Sequence, residues 1–199
     1  MDVDDRAAGS GNQPGNAAFR LAASHGAEVG PELIRIATEL HRRGLSYVGL
    51  VAASQTADVA SIAVQVGLAL ATVTGRPAGV VDAGGTWELR PAGSGSQSRF
   101  AMEWITDRVV AIAPRTPSRP GARVLELEAL LRDDSRPARR LVIDLTALVP
   151  SGEHAEAMSH VDGVIILAHA GRTTSQQVER RMLEVPPEKS LGVLLVGAR

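Results

Sequence analysis

Cysteine is absent from the 199 residues. Disulfides, thiolate nucleophiles and zinc–thiolate sites are therefore excluded, and the composition suits a reducing cytoplasm. Lysine is nearly absent: Lys189 is the single one, the other basic residues being arginines. Tyr47 is the single tyrosine. Charge of one sign is also missing. The net charge is −1, so no global basic field points to nucleic acid, and no polybasic segment offers to hold a membrane surface. The first residues, Met1-Asp2-Val3-Asp4-Asp5-Arg6, lack the apolar stretch of a signal peptide. No apolar run reaches the roughly 18 residues of a membrane span. The longest, Ile62 to Val73, is interrupted by Gln65 and Gly67 and reads as a buried helix. Direct membrane insertion is not expected.

What remains is an ordinary globular composition, 44% apolar and 22% charged, in a chain long enough for one domain with a proper core. Residues 1–16, rich in Gly, Asp, Ser and Asn, read as a disordered tail, and residues 17–199 as a single α/β domain. Pro31 to Arg43 has helical apolar spacing through Leu33, Ile36, Ala37 and Leu40, ended by Gly44. Ser46 to Ala53 reads as a buried strand, Ser54 to Asp58 as a polar turn, and Val59 to Thr74 as a helix apolar almost all round. Further strands are expected over Ala78–Asp82, Arg108–Ala113, Arg140–Leu145, Gly163–Ala168 and Leu191–Val196. Helices are expected over Val124–Arg132, Glu153–His160 and Thr173–Leu183, and a loop over residues 84–98. Continuous apolar strands alternating with helices predict a doubly wound, mainly parallel sheet with helices on both faces. Ligands bind such sheets beyond the carboxyl ends of the strands, here near Ser54, Asp82 and Asp144.

At those ends lie a turn entering a long helix and two strand-terminal aspartates. Val48-Gly49-Leu50-Val51-Ala52-Ala53 and the helix with Ala69-Leu70-Ala71 open a series of matching segments. Gly79-Val80-Val81-Asp82, Leu141-Val142-Ile143-Asp144, Val161-Asp162-Gly163-Val164-Ile165-Ile166-Leu167 with Gly171-Arg172-Thr173-Thr174, and Leu191-Gly192-Val193-Leu194-Leu195-Val196 complete it. In this order and spacing, residues 31–199 resemble the bacterial tyrosine kinases of capsule and exopolysaccharide synthesis, within the MinD/ParA branch of the P-loop NTPases. The resemblance implies a P-loop fold, a phosphate loop at Ser54, Thr56, Asp58 and Ser61, and magnesium-binding carboxylates at Asp82 and Asp144. It also implies protein partners, namely a membrane copolymerase tail, an active homologous kinase or further copies of the chain.

The departures fall on the chemistry. In register with the family's loop, Thr56, Ala57 and Asp58 replace its Gly-acid-Gly segment. Val59 replaces the lysine, and Ala60 and Ser61 replace the threonines. Glycines permit close approach of backbone to phosphate, whereas Asp58 brings a negative charge to a polyanion and Val59 offers no cation. Ala83-Gly84 lacks the family's second acid, and no tyrosine-rich tail is present. A vestigial loop, with Asp58 capping the helix and the aspartates ending strands, predicts a non-catalytic subunit without a cofactor. The alternatives are a divergent Mg-ATP-dependent enzyme using Ser61, Asp82 and Asp144 with Arg172 as substitute cation, and a MinD/ParA-like division or segregation accessory. His154, His160 and His169 lack zinc-site spacing. Glu153, Glu156, Arg180 and Arg181 read as solvated helix residues. Trp87 and Trp104 read as packed against the sheet edge rather than as partner anchors.

Overall fold

A computed structural model describes residues 29–54, 58–87, 89, 98–116 and 119–197; the expected tail over residues 1–16 lies outside them. The elements run α1 (Pro31–Arg42), β1 (Tyr47–Ala52), α2 (Val59–Thr74), β2 (Ala78–Asp82), β3 (Phe100–Trp104), β4 (Val109–Pro114) and α3 (Arg123–Arg132). They continue through β5 (Arg140–Asp144), α4 (Glu153–Ala157), β6 (Gly163–His169), α5 (Ser175–Glu184) and β7 (Ser190–Val196). Short 3₁₀ turns stand at Thr146–Leu148, Met158–His160 and Pro187–Lys189.

The seven strands form one sheet in the order β3-β4-β2-β5-β1-β6-β7. Every pairing is parallel except β3 with β4. The expected doubly wound, mainly parallel architecture is therefore present. The exception was not foreseen in the sequence. Phe100–Trp104 had no assignment, yet it returns directly into β4 as a hairpin, with Ile105 N donating to Val109 O at 2.8 Å and Thr106 Oγ1 accepting from Val109 N at 3.1 Å. So short a connection can only join antiparallel neighbours. As an edge strand it is half-wet, which hid it among loop residues.

The helices cover both faces. On one, α1 and α2 press Leu40, Val59, Val66 and Leu70 onto Val48, Leu50, Val80 and Val142. On the other, α3, α4 and the 3₁₀ turn that follows α4 press Leu127, Leu130, Ala157 and Met158 onto Leu141, Ile143 and Ile166. Val178 of α5 packs at the margin of that second layer. Burying each large side chain contributes about 1.5–3 kcal/mol. α2 is held at both ends: Asp58 caps its start, and Gly75 ends it in the left-handed region at φ 64°.

Lys189 is remote from the strand ends that matter. Its Nζ donates to the carbonyls of Met158, Ser159 and Val161 at 2.6–3.0 Å, capping a 3₁₀ turn. No helix among the described residues is long and apolar enough to cross a membrane.

Candidate functional site: the carboxyl ends of β1, β2 and β5

The sheet places the expected residues side by side. β5 lies between β1 and β2, and Asp82 and Asp144 are register partners at the ends of β2 and β5. The turn leaving β1 stands beside them. Its middle, including Thr56, lies outside the described residues. Ser54 Oγ sits 3.0 Å from Thr173 Oγ1 and is thus tied to the turn before α5.

Asp58 occupies the N-cap of α2, where its Oδ1 accepts from Ser61 N at 3.2 Å. A carboxylate therefore already holds the helix N-terminus, the place where a phosphate would gather N–H groups and the positive dipole end. Val59, at the position matching the family's lysine, is 4% exposed and packs in the α1–α2 core layer. Ala60 beside it is 5% exposed. This position faces apolar core, so the missing cation is more than a change of residue type.

Asp82 is consumed by its own loop. Its Oδ1 accepts from Gly84 N at 2.9 Å, and its Oδ2 accepts from Trp87 N at 2.5 Å, from Thr86 N, and from Thr86 Oγ1 at 3.1 Å. Burial nevertheless pushes the Asp82 carboxyl above its ordinary range, against these hydrogen bonds. The loop it folds buries Trp87 in the α2 layer, at 5% exposure. Gly84 must be a glycine, because a Cβ there would lie 2.2 Å from Ala147 Cβ. Trp104 is 48% exposed on edge strand β3. The shared expectation for the two tryptophans thus splits: Trp87 is core, and Trp104 is half in solvent.

Asp144 accepts from Thr146 N at 2.8 Å. Burial pushes its carboxyl up to about 7, and the negative charges of Asp82 and Asp58 add to the rise. Three carboxylates thus converge on the strand ends, with no cation from the phosphate turn to balance them. Magnesium with a nucleotide would meet this set as it stands. Both oxygens of Asp82 are engaged by the loop, Ala60 stands where the hydroxyl belongs, and the added phosphates would meet Asp58. Among the described residues no group of three His, Asp or Glu side chains is arranged to hold a metal ion.

Arg172, the expected substitute cation, is exposed in the turn after β6. Arg181 corrects another expectation. Read as solvated, its side chain is only 12% exposed. It crosses from α5 to the end of β1, where Nε donates to Ala52 O at 3.1 Å, and it pairs with Glu184. His154 joins them through Nε2, 2.9 Å from Glu184 Oε2. Helical spacing marked Arg181 as polar, but only the packing of α5 against the second layer turns it inward. Glu153 is likewise not solvated: it accepts from Gly121 N at 2.7 Å and from Ser151 Oγ at 2.6 Å. Tyr47 is fixed by Arg136, whose Nη2 donates to its hydroxyl.

No family model matches the chain, and no curated protein matches it. Solved structures do. The kinase domain of Escherichia coli tyrosine kinase ETK is similar at 16% identity and TM-score 0.65, covering 96% of this chain and 83% of that one. The chimerical protein CapA2B2 matches at 13% identity and TM-score 0.67, covering 90% and 89%. The kinase domain of VpsO matches at 18% identity and TM-score 0.62, covering 92% and 97%. Identities this low carry the fold and no further. The chain has the P-loop NTPase-like α/β fold of the bacterial tyrosine-kinase domains, with Asp58 and Val59 at the start of the helix that follows β1.

Proposed function

We propose that the chain is a kinase-like pseudoenzyme, a non-catalytic binding or regulatory subunit of bacterial exopolysaccharide synthesis or export. The observation that carries this reading is the first turn of α2. Val59 is buried where a phosphate-binding lysine would project, and the Asp58 carboxylate occupies the anion position. Adding a nucleotide would require displacing that cap and setting phosphates against three carboxylates. Fold alone does not fix function, so the pathway rests on the sequence resemblance alone. The partner is a copolymerase tail, an active homologous kinase or a second copy of the chain. The loops after β1, β2 and β5 form the contact surface, because that end of the sheet carries the segments that change with ligand in a working P-loop protein.

Calorimetric titration with ATP and ADP, with and without magnesium, tests the reading. No heat of binding at millimolar nucleotide is expected. Magnesium-dependent binding abolished by Asp144→Ala would overturn it. The competing reading, a divergent Mg-ATP-dependent enzyme, would then stand, because Asp82 and Asp144 retain the register of a carboxylate pair.

A further inference from the structure

A cavity of about 470 Å³ opens between the end of β1, the segment after β5, and helices α4 and α5. Its apolar wall includes Ala53, Val149 and Pro150, and its polar wall is Gln177, Arg180, Arg181 and Glu184. The site proposed above uses none of these polar side chains. Two guanidiniums face one carboxylate here: Arg181 pairs with Glu184, and Arg180 Nε lies 3.7 Å from Glu184 Oε1. The cavity therefore keeps an excess of positive charge beside strand ends that are otherwise acidic.

Two of the donors, Arg181 and Gln177, are held in place. Arg181 is fixed by Ala52 O and Glu184, and His154 braces Glu184 from the other side. Among the described residues Arg181 Nη2 meets no acceptor, since Nε and Nη1 make its bonds. Gln177 takes part in the capping box of α5, where its Oε1 accepts from Thr174 N at 2.9 Å. That bond leaves its amide N–H₂ as donor. Glu184 is kept ionised: burial works to raise its carboxyl, but the His154 hydrogen bond and the charges of Arg181 and Arg180 hold it below the usual range. An ionised Glu184 fixes Arg181 without cancelling both arginines. Planar guanidinium groups and an amide N–H₂ match the oxygens of a carboxylate or phosphate group. The volume falls within the range of small-molecule pockets.

We propose that this cavity binds a small oxyanion, a carboxylate or phosphate group carried by a small molecule, with Arg181, Arg180 and Gln177 as its donors and Glu184 and His154 as positioning residues. The site adjoins the turn after β1 at Ser54, but its donors come from α5 and it does not depend on nucleotide binding.

The test is a nuclear magnetic resonance titration of the full chain with sodium phosphate and, in a second arm, sodium acetate, at constant ionic strength. Saturable shifts are expected at Arg181 Nε–H and the Gln177 side-chain amide, with millimolar dissociation constants. Phosphate binding tighter than acetate would assign a phosphate ligand, and the reverse a carboxylate. The paired variant Arg180→Ala/Gln177→Ala changes two exposed side chains and so leaves the core untouched. It should weaken binding about tenfold, as expected for the loss of charge-assisted hydrogen bonds. Linear, unsaturable shifts, or saturable shifts unchanged in the paired variant, would overturn the proposal. Shifts confined to the Ala60 and Ser61 amides would also overturn it, by placing the anion at the start of α2.

Discussion

α2 and α5 make an informative pair. Each leaves the carboxyl end of a parallel strand, and each is capped by a side chain, Asp58 for α2 and Thr174 for α5. Beyond that they diverge. α2 buries Val59, Ala63, Val66 and Leu70 and carries no charged residue. α5 buries no residue fully and carries Glu179, Arg180, Arg181 and Glu184. In a working P-loop protein the helix after the first strand supplies the phosphate-binding groups. Here that helix has become a core element, and the cationic groups near the same strand ends sit on α5. Val59, buried in the core, has neither a cationic group nor the solvent-facing geometry that would let one act.

The contrast predicts unequal sensitivity. Leu70→Ala on α2 should cost about 2–5 kcal/mol, because Leu70 is only 2% exposed and the core would retain part of the cavity. Denaturant unfolding should register this as a lower midpoint with unchanged slope. A smaller loss, or none, would mean that α2 is not the packed element described.

The carboxyl of Asp144 gives the second effect, and its sign follows from linkage. Its folded value of about 7 lies above the ordinary 3.8. Between those values the folded chain holds a proton that the unfolded chain has released, so stability falls as pH rises from about 4 to about 7. Asp144→Asn keeps an acceptor for Thr146 N and removes the buried charge. It should therefore stabilise the protein at pH 8 by at most about 4 kcal/mol and change little at pH 4. Thermal unfolding across that range checks the slope; equal effects at both pH values would contradict the buried, charge-crowded carboxyl.

Asp58→Ala should cost about 1 kcal/mol through loss of the cap on Ser61 N. Nucleotide binding should not appear in this variant, because Val59 remains in the core. Recovery of ATP binding on removing this one carboxylate would show that Asp58 alone had blocked the site. The smallest effect belongs to α5: Leu183 is 88% exposed, and Leu183→Ala should stay within about 0.5 kcal/mol of the parent. A large loss would reveal that this end of α5 is covered in solution.

The pattern of apolar runs was enough to place most of the fold. β1, β2 and β5 are buried on both faces, so they read as continuous apolar segments, and α2 reads as a helix buried all round. β3 escaped because an edge strand need not be apolar on both sides, and the Glu103 and Trp104 of its second half gave no clear period. At the site, the sequence resemblance set Val59 and Asp58 against a lysine and a glycine. The structure added that Val59 is turned into core and that Asp58 holds the helix start.

By itself, then, the sequence determined the alternation of strands and helices, the two strand-end aspartates and the placing of Asp58 and Val59 at the start of α2. All of these depend on local composition and spacing along the chain. The tertiary structure alone decided which charges meet. Asp82 and Asp144 become register partners because β2 and β5 pair, although 61 positions separate them in the parallel ladder Asp82↔Asp144. Arg181, which helical spacing leaves as one more polar residue, reaches Ala52 O and Glu184 only because α5 packs across the end of β1. Electrostatics at short range depends on through-space distance, and in a sheet of crossovers that distance is set by strand order rather than by position along the chain.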